Sequence, residues 1–458
     1  MNKTDKEALS RRGLIKWGLY AGAALGLARW KVYEALEGSV GSAIAAEAAC
    51  QVTNRSVHIA AGTGGFAWYQ LLWPHNDVVL GANPGAAFHA FGQTTMATGT
   101  DRPLTLSPQS PFRRAPGNKQ MTALMAGSNE THTRTPSTAT NLGGNSLLAV
   151  AAALQTTNPS VIPVVTVDGS PFGNAPGAPR PSAVGTAQQF VGLFNSAASR
   201  AGGLLEGASD AGLYDAHYAA LASLNRAANR PTTNRAYGTA KTAAHLLGTN
   251  LASQLAITDA DRTRYGVGGA VRQNLKDLAE TLIVTAKAFR MGLTSSVCTH
   301  ALGDDPHGAF NDPANPPATA AILGGMLDAF MADLAATPDA SCAGTSLADN
   351  VVLTIHGDTP KSPLIASGWP DGTPGNSNWM YVYGNGWLKT GWFGGVMRNG
   401  VVKGYDPATG VENATASAML AGPASAAVAF AIAKGDMRRV GDFARGLNIS
   451  GLTRPITQ

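Results

Sequence analysis

The sequence predicts an α/β protein in which helices flank a central, largely parallel β-sheet and long ordered loops join the elements. Short apolar runs alternate with helical patterns along the 458 residues, as in sheets covered by helices. Two of the helical patterns lead into strand-like runs. The 54 glycines and 26 prolines are concentrated in connecting stretches, most clearly at residues 170–182 and 357–378. Loops of that length in a compact domain are usually functional or packed on their own side chains.

Four short runs rich in β-branched residues are predicted to form buried strands. They span residues 57–61, 161–167, 296–302 and 351–355.

The helices are predicted from the spacing of apolar residues. Residues 271–291 carry one apolar face at a spacing near 3.6 and end at Gly292, a typical helix cap, before the 296–302 strand. A second helix, 318–334, precedes the 351–355 strand. Two successive helix–strand units favour a parallel sheet, with site residues at the carboxyl ends of its strands.

The amino terminus has the pattern of a twin-arginine export signal. Arg11 and Arg12 precede an apolar stretch, 17–28, that is shorter than the ~20 residues of a membrane span. Small residues at 43–48 offer cleavage sites. We therefore expect residues 1–48 to be a signal peptide recognised by the twin-arginine translocase. Residues 49–458 would then form one domain that works in the periplasm or outside the cell.

Composition excludes several classes of protein. Hydrophobic residues make up 44% and charged residues 14% of the chain, which excludes a charge-rich disordered protein. The formal net charge is only +5, and the sequence contains no run of lysine and arginine. We therefore expect no nucleic-acid partner. After the signal peptide, no stretch is predicted to cross a membrane.

The three cysteines leave alternatives open. Cys298 and Cys342 could form a disulfide across the 318–334 helix, or both could be buried free thiols. Cys50 follows the predicted cleavage region, where a lipoprotein carries its acylated cysteine. Glu47 occupies a position that is aliphatic in such signals, which disfavours lipid attachment.

Polar side chains gather after two of the predicted strands. Asp304, Asp305 and His307 follow the 296–302 strand, while His356 and Asp358 follow the 351–355 strand. An Asp and a His two residues apart on a loop can share a divalent metal. Asp-rich segments after strands also form ordinary Asx turns and helix caps. These five residues are the candidate metal ligands, and spacing alone favours the turn interpretation.

The order of several short motifs resembles that of a large bacterial family of unknown function, commonly exported by the twin-arginine pathway. The motifs lie at 12–18, 57–77, 302–308 (Leu-Gly-Asp-Asp-Pro-His-Gly), 351–360, 389–395 and 403–405. That family is related to the alkaline phosphatase and sulfatase superfamily. The resemblance implies an alkaline-phosphatase-like fold for residues 49–458. It also implies phosphate or sulfate ester hydrolysis at one or two divalent metals (Zn, Mn, Ca or Mg) held at strand ends.

Most positions at which the family carries metal ligands are substituted here. Ala67 stands where the family has a carboxylate, and Ile355 and Asp358 replace an acidic residue and an arginine. Ser377 and Asn378 replace an Asp–His pair.

Asp305 and His307 remain as the pair that matches the family's motif. Catalytic zinc normally has three protein ligands and a water, so Asp304, His356 or Asp358 would have to complete the set. Convergence of these side chains would indicate a metal-dependent ester hydrolase with a rearranged site. The favoured hypothesis is a metal-poor relative that binds a ligand or partner without turning it over.

A third hypothesis concerns the aromatic residues Trp379, Tyr381, Tyr383, Trp387 and Trp392. Exposed, they would suit a structural or surface-assembly protein, but their alternation also fits a half-buried strand. Together with the uncharged Ser377 and Asn378, Trp379 at a cleft would favour a neutral polar ligand such as a glycan.

Overall fold

The structure is a computed structural model. It describes residues 50, 53–60, 71–74, 94–128, 140–158, 160–194, 250–302, 307, 315–356, 365, 368, 370, 375, 377–397 and 401–455. The predicted signal peptide, 1–48, and most of the predicted loop at 357–378 lie outside these residues.

The described residues form fifteen strands and eight α-helices. In chain order the strands are β1 (Arg55–Ala60), β2 (Thr95–Met96), β3 (Thr105–Leu106), β4 (Met121–Ser128), β5 (Asn141–Leu142), β6 (Asn145–Ser146), β7 (Ile162–Val167), β8 (Ser182–Val184), β9 (Thr294–His300), β10 (Val351–His356), β11 (Ser377–Tyr383), β12 (Gly391–Phe393), β13 (Gly395–Val396), β14 (Val402–Tyr405) and β15 (Glu412–Asn413). The helices are α1 (Leu147–Leu154), α2 (Ala187–Gly192), α3 (Leu251–Leu255), α4 (Asp259–Arg264), α5 (Gln273–Arg290), α6 (Asn315–Ala335), α7 (Ser417–Ile432) and α8 (Met437–Gly441).

Eight strands form one mixed sheet in the order β12-β4-β11-β10-β1-β9-β7-β8. β1 pairs in parallel with β9 and β10, β7 with β8 and β9, and β12 with β4. β11 is antiparallel to both of its neighbours. Every residue of β1, β9, β10 and β11 is buried, so both faces of the sheet are covered. The predicted mostly parallel α/β architecture is confirmed.

The predicted strands agree with β1, β7, β9 and β10 to within two residues at each end. The predicted helices 271–291 and 318–334 correspond to α5 and α6. α5 ends as predicted at Gly292, whose φ is +67°. The amide of Gly292 bonds the carbonyl of Phe289, and the amide of Leu293 bonds that of Ala288. This pair of bonds is the Schellman cap, which turns the chain directly into β9.

Helix α6 carries the one stretch among the described helices that is long and apolar enough to cross a membrane. Residues Pro316–Ala335 have a mean hydropathy of 1.4, and half of this window is buried within the protein. Length and composition alone are weak evidence for a membrane span, because the core helix of a globular domain passes the same test.

One face of the sheet carries His58 and Cys298 and is covered by α1 and α7. Cys298 packs with Leu148 of α1, and α1 and α7 contact each other. α7 is apolar all round and rich in alanine, as expected of a helix enclosed in a core. Its small side chains let it pack closely against β4, β10 and β11.

The cysteines match neither alternative in full, because Cys298 and Cys342 do not pair and only Cys298 is a buried free thiol. Cys342 forms a disulfide with Cys50, and Cys298 is a buried free thiol inside β9. Cys50 lies five residues before β1, and Arg55 at the start of β1 bonds Asp339 in the loop that carries Cys342. The amino end of β1 therefore brings Cys50 to Cys342. Because a sulfur in a disulfide cannot carry a lipid, the lipoprotein alternative at Cys50 is wrong for this bonded form.

Candidate functional site

The carboxyl ends of four parallel strands lie side by side at one edge of the sheet. β1 ends at Ala60, which is in register with His300 of β9 on one side and His356 of β10 on the other. β7 lies beyond β9 and is followed directly by Asp168. In open α/β sheets, ligands bind at this edge. It is therefore the candidate functional site.

A buried cluster of two histidines and a threonine lies beneath this edge. His58 Nδ1 is 2.6 Å from Thr354 Oγ1 and 3.3 Å from His356 Nε2, and Thr354 Oγ1 also contacts His356 Nε2. All three residues are wholly buried. One hydroxyl can donate to one ring nitrogen and accept from another, so the cluster is satisfied when one of the two facing nitrogens carries a proton and the other does not.

Burial keeps both imidazoles neutral. It lowers the pKa of His58 from 6.5 to about 3. The pKa of His356 also lies well below its ordinary value, first because of burial and then because of the neighbouring His58. Neither ring is therefore a cation at neutral pH.

The described residues do not fit a divalent metal site. His58 Nε2 and His356 Nδ1 have no hydrogen-bond partner among the described residues. Because each ring turns its other nitrogen toward the partner histidine, these two nitrogens face away from each other and cannot bind one ion. Within the described part of the chain, no three His, Cys, Asp or Glu side chains are grouped so as to hold a metal.

Two of the five predicted ligands, His307 and His356, lie among the described residues. His356 lies in the buried cluster, away from the solvent that a catalytic metal needs. His307 Nδ1 lies 3.1 Å from the carbonyl of Gly368, so it contacts the loop that follows β10. Asp304, Asp305 and Asp358 lie outside the described residues.

The positions substituted relative to the resembled family are also closed. Ile355, Ser377 and Asn378 are all wholly buried. The side-chain oxygen of Asn378 accepts a hydrogen bond from the amide of Trp379, and the amide of Asn378 bonds Ser417 Oγ at the start of α7. Ala67 lies outside the described residues. The described positions therefore carry groups that bond their own backbone or pack in the core.

The aromatic segment is core, so its prediction as an exposed assembly surface is wrong. Trp379, Tyr381, Tyr383 and Trp392 are buried, and Trp387 is partly buried. The alternative strand interpretation is confirmed in β11, which is buried on both faces because aromatic rings pack on Tyr381 and Tyr383 and α7 packs against the sheet here. Trp379 is consequently not at a cleft where it could stack on a ligand.

A second polar group at the edge was not predicted from the sequence. His300 Nδ1 lies 3.7 Å from Asp168 Oδ2. The His300 side chain is 2% exposed, whereas that of Asp168 is 62% exposed. The hydroxyl of Ser170, two residues beyond Asp168, is buried and has no hydrogen-bond partner among the described residues.

Sequence reasoning missed His58 and His300 because it searched the loops after the strands rather than the strands themselves, and it missed Asp168 because it did not consider the residue directly after the 161–167 strand. A usable signal existed, since histidine is uncommon inside an apolar buried strand. β1 and β10 each carry one, and their parallel register places both on one face.

Comparisons with protein-family models, with curated proteins and with solved structures found no significant match to this chain. The function is therefore argued from the chain's own residues, and the likeness to the alkaline phosphatase and sulfatase superfamily stays an expectation.

Proposed function

We propose that this chain is an exported protein with an alkaline-phosphatase-like fold that has lost the superfamily's metal site. It binds a neutral polar ligand at the carboxyl edge of its sheet without hydrolysing it. The observation that carries the proposal is the burial of His356, whose Nε2 is engaged by Thr354 and His58. To complete a catalytic metal site with Asp305 and His307, the His356 ring would have to face the carboxyl edge rather than the core.

The closed positions around the edge support the same proposal. With Ser377 and Asn378 buried, the described part of β11 offers no charged ligand. A metal-dependent hydrolase uses its ion to polarise an ester oxygen and to activate water, and two matching residues, Asp305 and His307, are too few to hold such an ion tightly.

The Cys50–Cys342 disulfide supports export. Structural disulfides form in oxidising compartments such as the periplasm. Cys50 lies just after the predicted cleavage region at 43–48, so processing would leave the new amino terminus tied to the folded domain.

The direct test is hydrolysis of a panel of phosphate and sulfate esters with zinc, manganese, calcium or magnesium added. The experiment compares the mature chain with the Asp305→Ala variant, using Asp442→Ala at an exposed position as the control. We expect no rate above background for any of the three proteins. A metal-dependent rate that Asp305→Ala abolishes and Asp442→Ala leaves unchanged would refute the proposal and establish the hydrolase.

A further inference from the structure

We propose that Asp168, Ser170 and His300 form the ligand-contacting group of the edge and that the ligand is a carbohydrate. The inference rests on the proposed function, since it names where the neutral polar ligand binds and what it is. It concerns residues that no motif in the sequence singled out.

Asp168 and His300 lie next to each other at the carboxyl edge of the sheet. Val167 of β7 is in register with Thr299 of β9, so Asp168 emerges beside His300 at the carboxyl edge. The carboxylate stands in solvent while the imidazole beside it is buried. A ligand that approaches this edge therefore meets the Asp168 carboxylate first and the His300 ring behind it.

The turn that carries Asp168 and Ser170 is held in place before any ligand arrives. Asp168 and Gly169 both have positive φ, +54° and +62°, and the amide of Ser170 bonds the carbonyl of Val167. This is the pattern of a tight Asp-Gly turn. The amide of Asp168 also bonds the carbonyl of Val184 in β8. A site whose backbone is already fixed loses little entropy when it binds.

The loop that follows is tied down as well. Ser146 Oγ donates to the carbonyl of Phe172 at 2.6 Å, and the amide of Ser146 bonds the carbonyl of Asn174. Gly173 has a φ of +69°, and a side chain there would collide with Ser146. The start of the loop is thus fastened to the residue that precedes α1.

The three side chains together offer both hydrogen-bond donors and acceptors. A carboxylate accepts hydrogen bonds, a serine hydroxyl donates and accepts, and an imidazole can do either. The buried Ser170 hydroxyl still lacks a partner among the described residues, and buried polar groups are normally bonded. Sugar hydroxyls each donate and accept, so they complement this mixture. An anionic ester would meet the exposed carboxylate and be repelled.

The group combines one carboxylate with a hydroxyl that donates and accepts, so a ligand with several hydroxyls can bond both, and glucosamine serves as the cationic comparison in the test.

The test measures binding by calorimetry to glucose, glucose 6-phosphate, glucosamine and the neutral disaccharides maltose, cellobiose and chitobiose. The proteins compared are the mature chain, Asp168→Asn, Ser170→Ala and the control Asp442→Asn, whose carboxylate is also exposed. A hydrogen bond to a charged group contributes about 1.5–3 kcal/mol. We therefore expect a neutral sugar to bind to the mature chain. Asp168→Asn should reduce the affinity at least tenfold, and Ser170→Ala should reduce it by a smaller factor. Asp442→Asn should leave the affinity unchanged.

Three results would overturn the inference. If Asp168→Asn leaves sugar binding unchanged, the assignment of the site to Asp168 is refuted, whereas the proposed function is not. Tighter binding of the phosphate or the amine than of glucose would refute the ligand class. Failure of every sugar to bind would refute the carbohydrate assignment. Ester hydrolysis, by contrast, would refute the proposed function, and it is measured independently.

Discussion

The polar residues of the candidate site form two groups, one buried within the sheet and one at its carboxyl edge. His58, Thr354 and His356 bond one another without exposure to solvent, whereas Asp168 reaches out from the same end of the sheet. The difference decides their roles. Buried imidazoles with depressed pKa values are stability elements, and an exposed carboxylate beside a histidine can contact a ligand.

The histidine cluster should make the fold sensitive to acid. Unfolded histidine titrates near 6.5, whereas His58 in the fold titrates near 3. The unfolded chain therefore binds more protons between these values, and stability, complete above pH 6.5, falls as the pH is lowered. Each such histidine contributes a slope of up to about 1.4 kcal/mol per pH unit. Urea unfolding between pH 6.5 and 5, above the range of the carboxylates, measures this slope.

We expect His58→Gln to reduce that slope by the contribution of about one titrating histidine, up to about 1.4 kcal/mol per pH unit. This expectation holds whether or not the substitution changes the unfolding free energy at neutral pH. An equal slope in wild type and His58→Gln would show that His58 is not buried and neutral.

A second residue-scale prediction concerns the ion pair at the opposite end of the sheet. Arg55 Nη1 lies 2.8 Å from Asp339 Oδ2, and both side chains are almost completely buried. Burial raises the pKa of Asp339, but bonds from Arg55 and Ser341 and the charge of Arg55 together hold it below its ordinary value. Asp339→Asn would leave Arg55 buried without its counter-charge and should cost about 3–5 kcal/mol of unfolding free energy.

The matched change is Glu412→Gln, whose ion pair with Lys403 is well exposed. It should cost less than about 1 kcal/mol. Thermal and urea unfolding of both variants measure the two losses of unfolding free energy. Similar losses would contradict the burial of the Arg55–Asp339 pair.

At the scale of elements, the parallel core was predictable and the antiparallel extension was not. β1, β7, β9 and β10 are short runs rich in β-branched and small residues, and Gly292 marks the end of α5, so local sequence suffices for them. β11 has the alternating aromatic pattern of a half-buried strand. It is fully buried because α7 covers the sheet on one side and Trp73 and Phe112 pack on its tyrosines, and local sequence does not reveal those neighbours.

The candidate site shows the same limit. The predicted edge of the sheet is where the structure places His300, His356 and Asp168, because strand direction follows from the helix–strand units. Which way each side chain points follows from register, which a single sequence does not give. That is why His356 was expected to be a ligand and is instead buried against Thr354.

The packing of α7 provides a prediction at this scale. Its alanines allow a close approach to the sheet, and Ala427 is completely buried while Ala418 is exposed. Ala427→Leu should destabilise by about 1–3 kcal/mol through overpacking. Ala418→Leu, the same change on the exposed side, should stay within about 0.5 kcal/mol. Equal effects on the melting temperature would show that α7 does not pack as described.

At the scale of the whole molecule, the two ends of the sheet have different tasks. The amino end is fastened by the Cys50–Cys342 disulfide and the Arg55–Asp339 pair. The carboxyl end carries the histidines and the Asp168 turn. Fastening one end of the sheet leaves the loops of the other free to differ in chemistry without loss of the fold.

The disulfide joins residues separated by 292 positions, so its loss should release a large amount of chain entropy in the unfolded state. Cys50→Ser with Cys342→Ser should lower the unfolding free energy by about 2–5 kcal/mol. Cys298→Ser at the buried free thiol tests the assignment separately. Mass spectrometry without reductant should find one disulfide in the wild type and in Cys298→Ser, and none in the double variant. A peptide containing Cys298 linked to Cys342 would contradict the structure.

The central claim is that the carboxyl edge binds a ligand and does not hold a catalytic metal. The most direct measurement is the metal content of the mature chain, purified from its native compartment without chelators and analysed by inductively coupled plasma mass spectrometry. We predict no stoichiometric zinc, manganese, calcium or magnesium. One or more equivalents of metal per chain, lost in both Asp305→Ala and His307→Ala and retained in Asp442→Ala, would contradict the account.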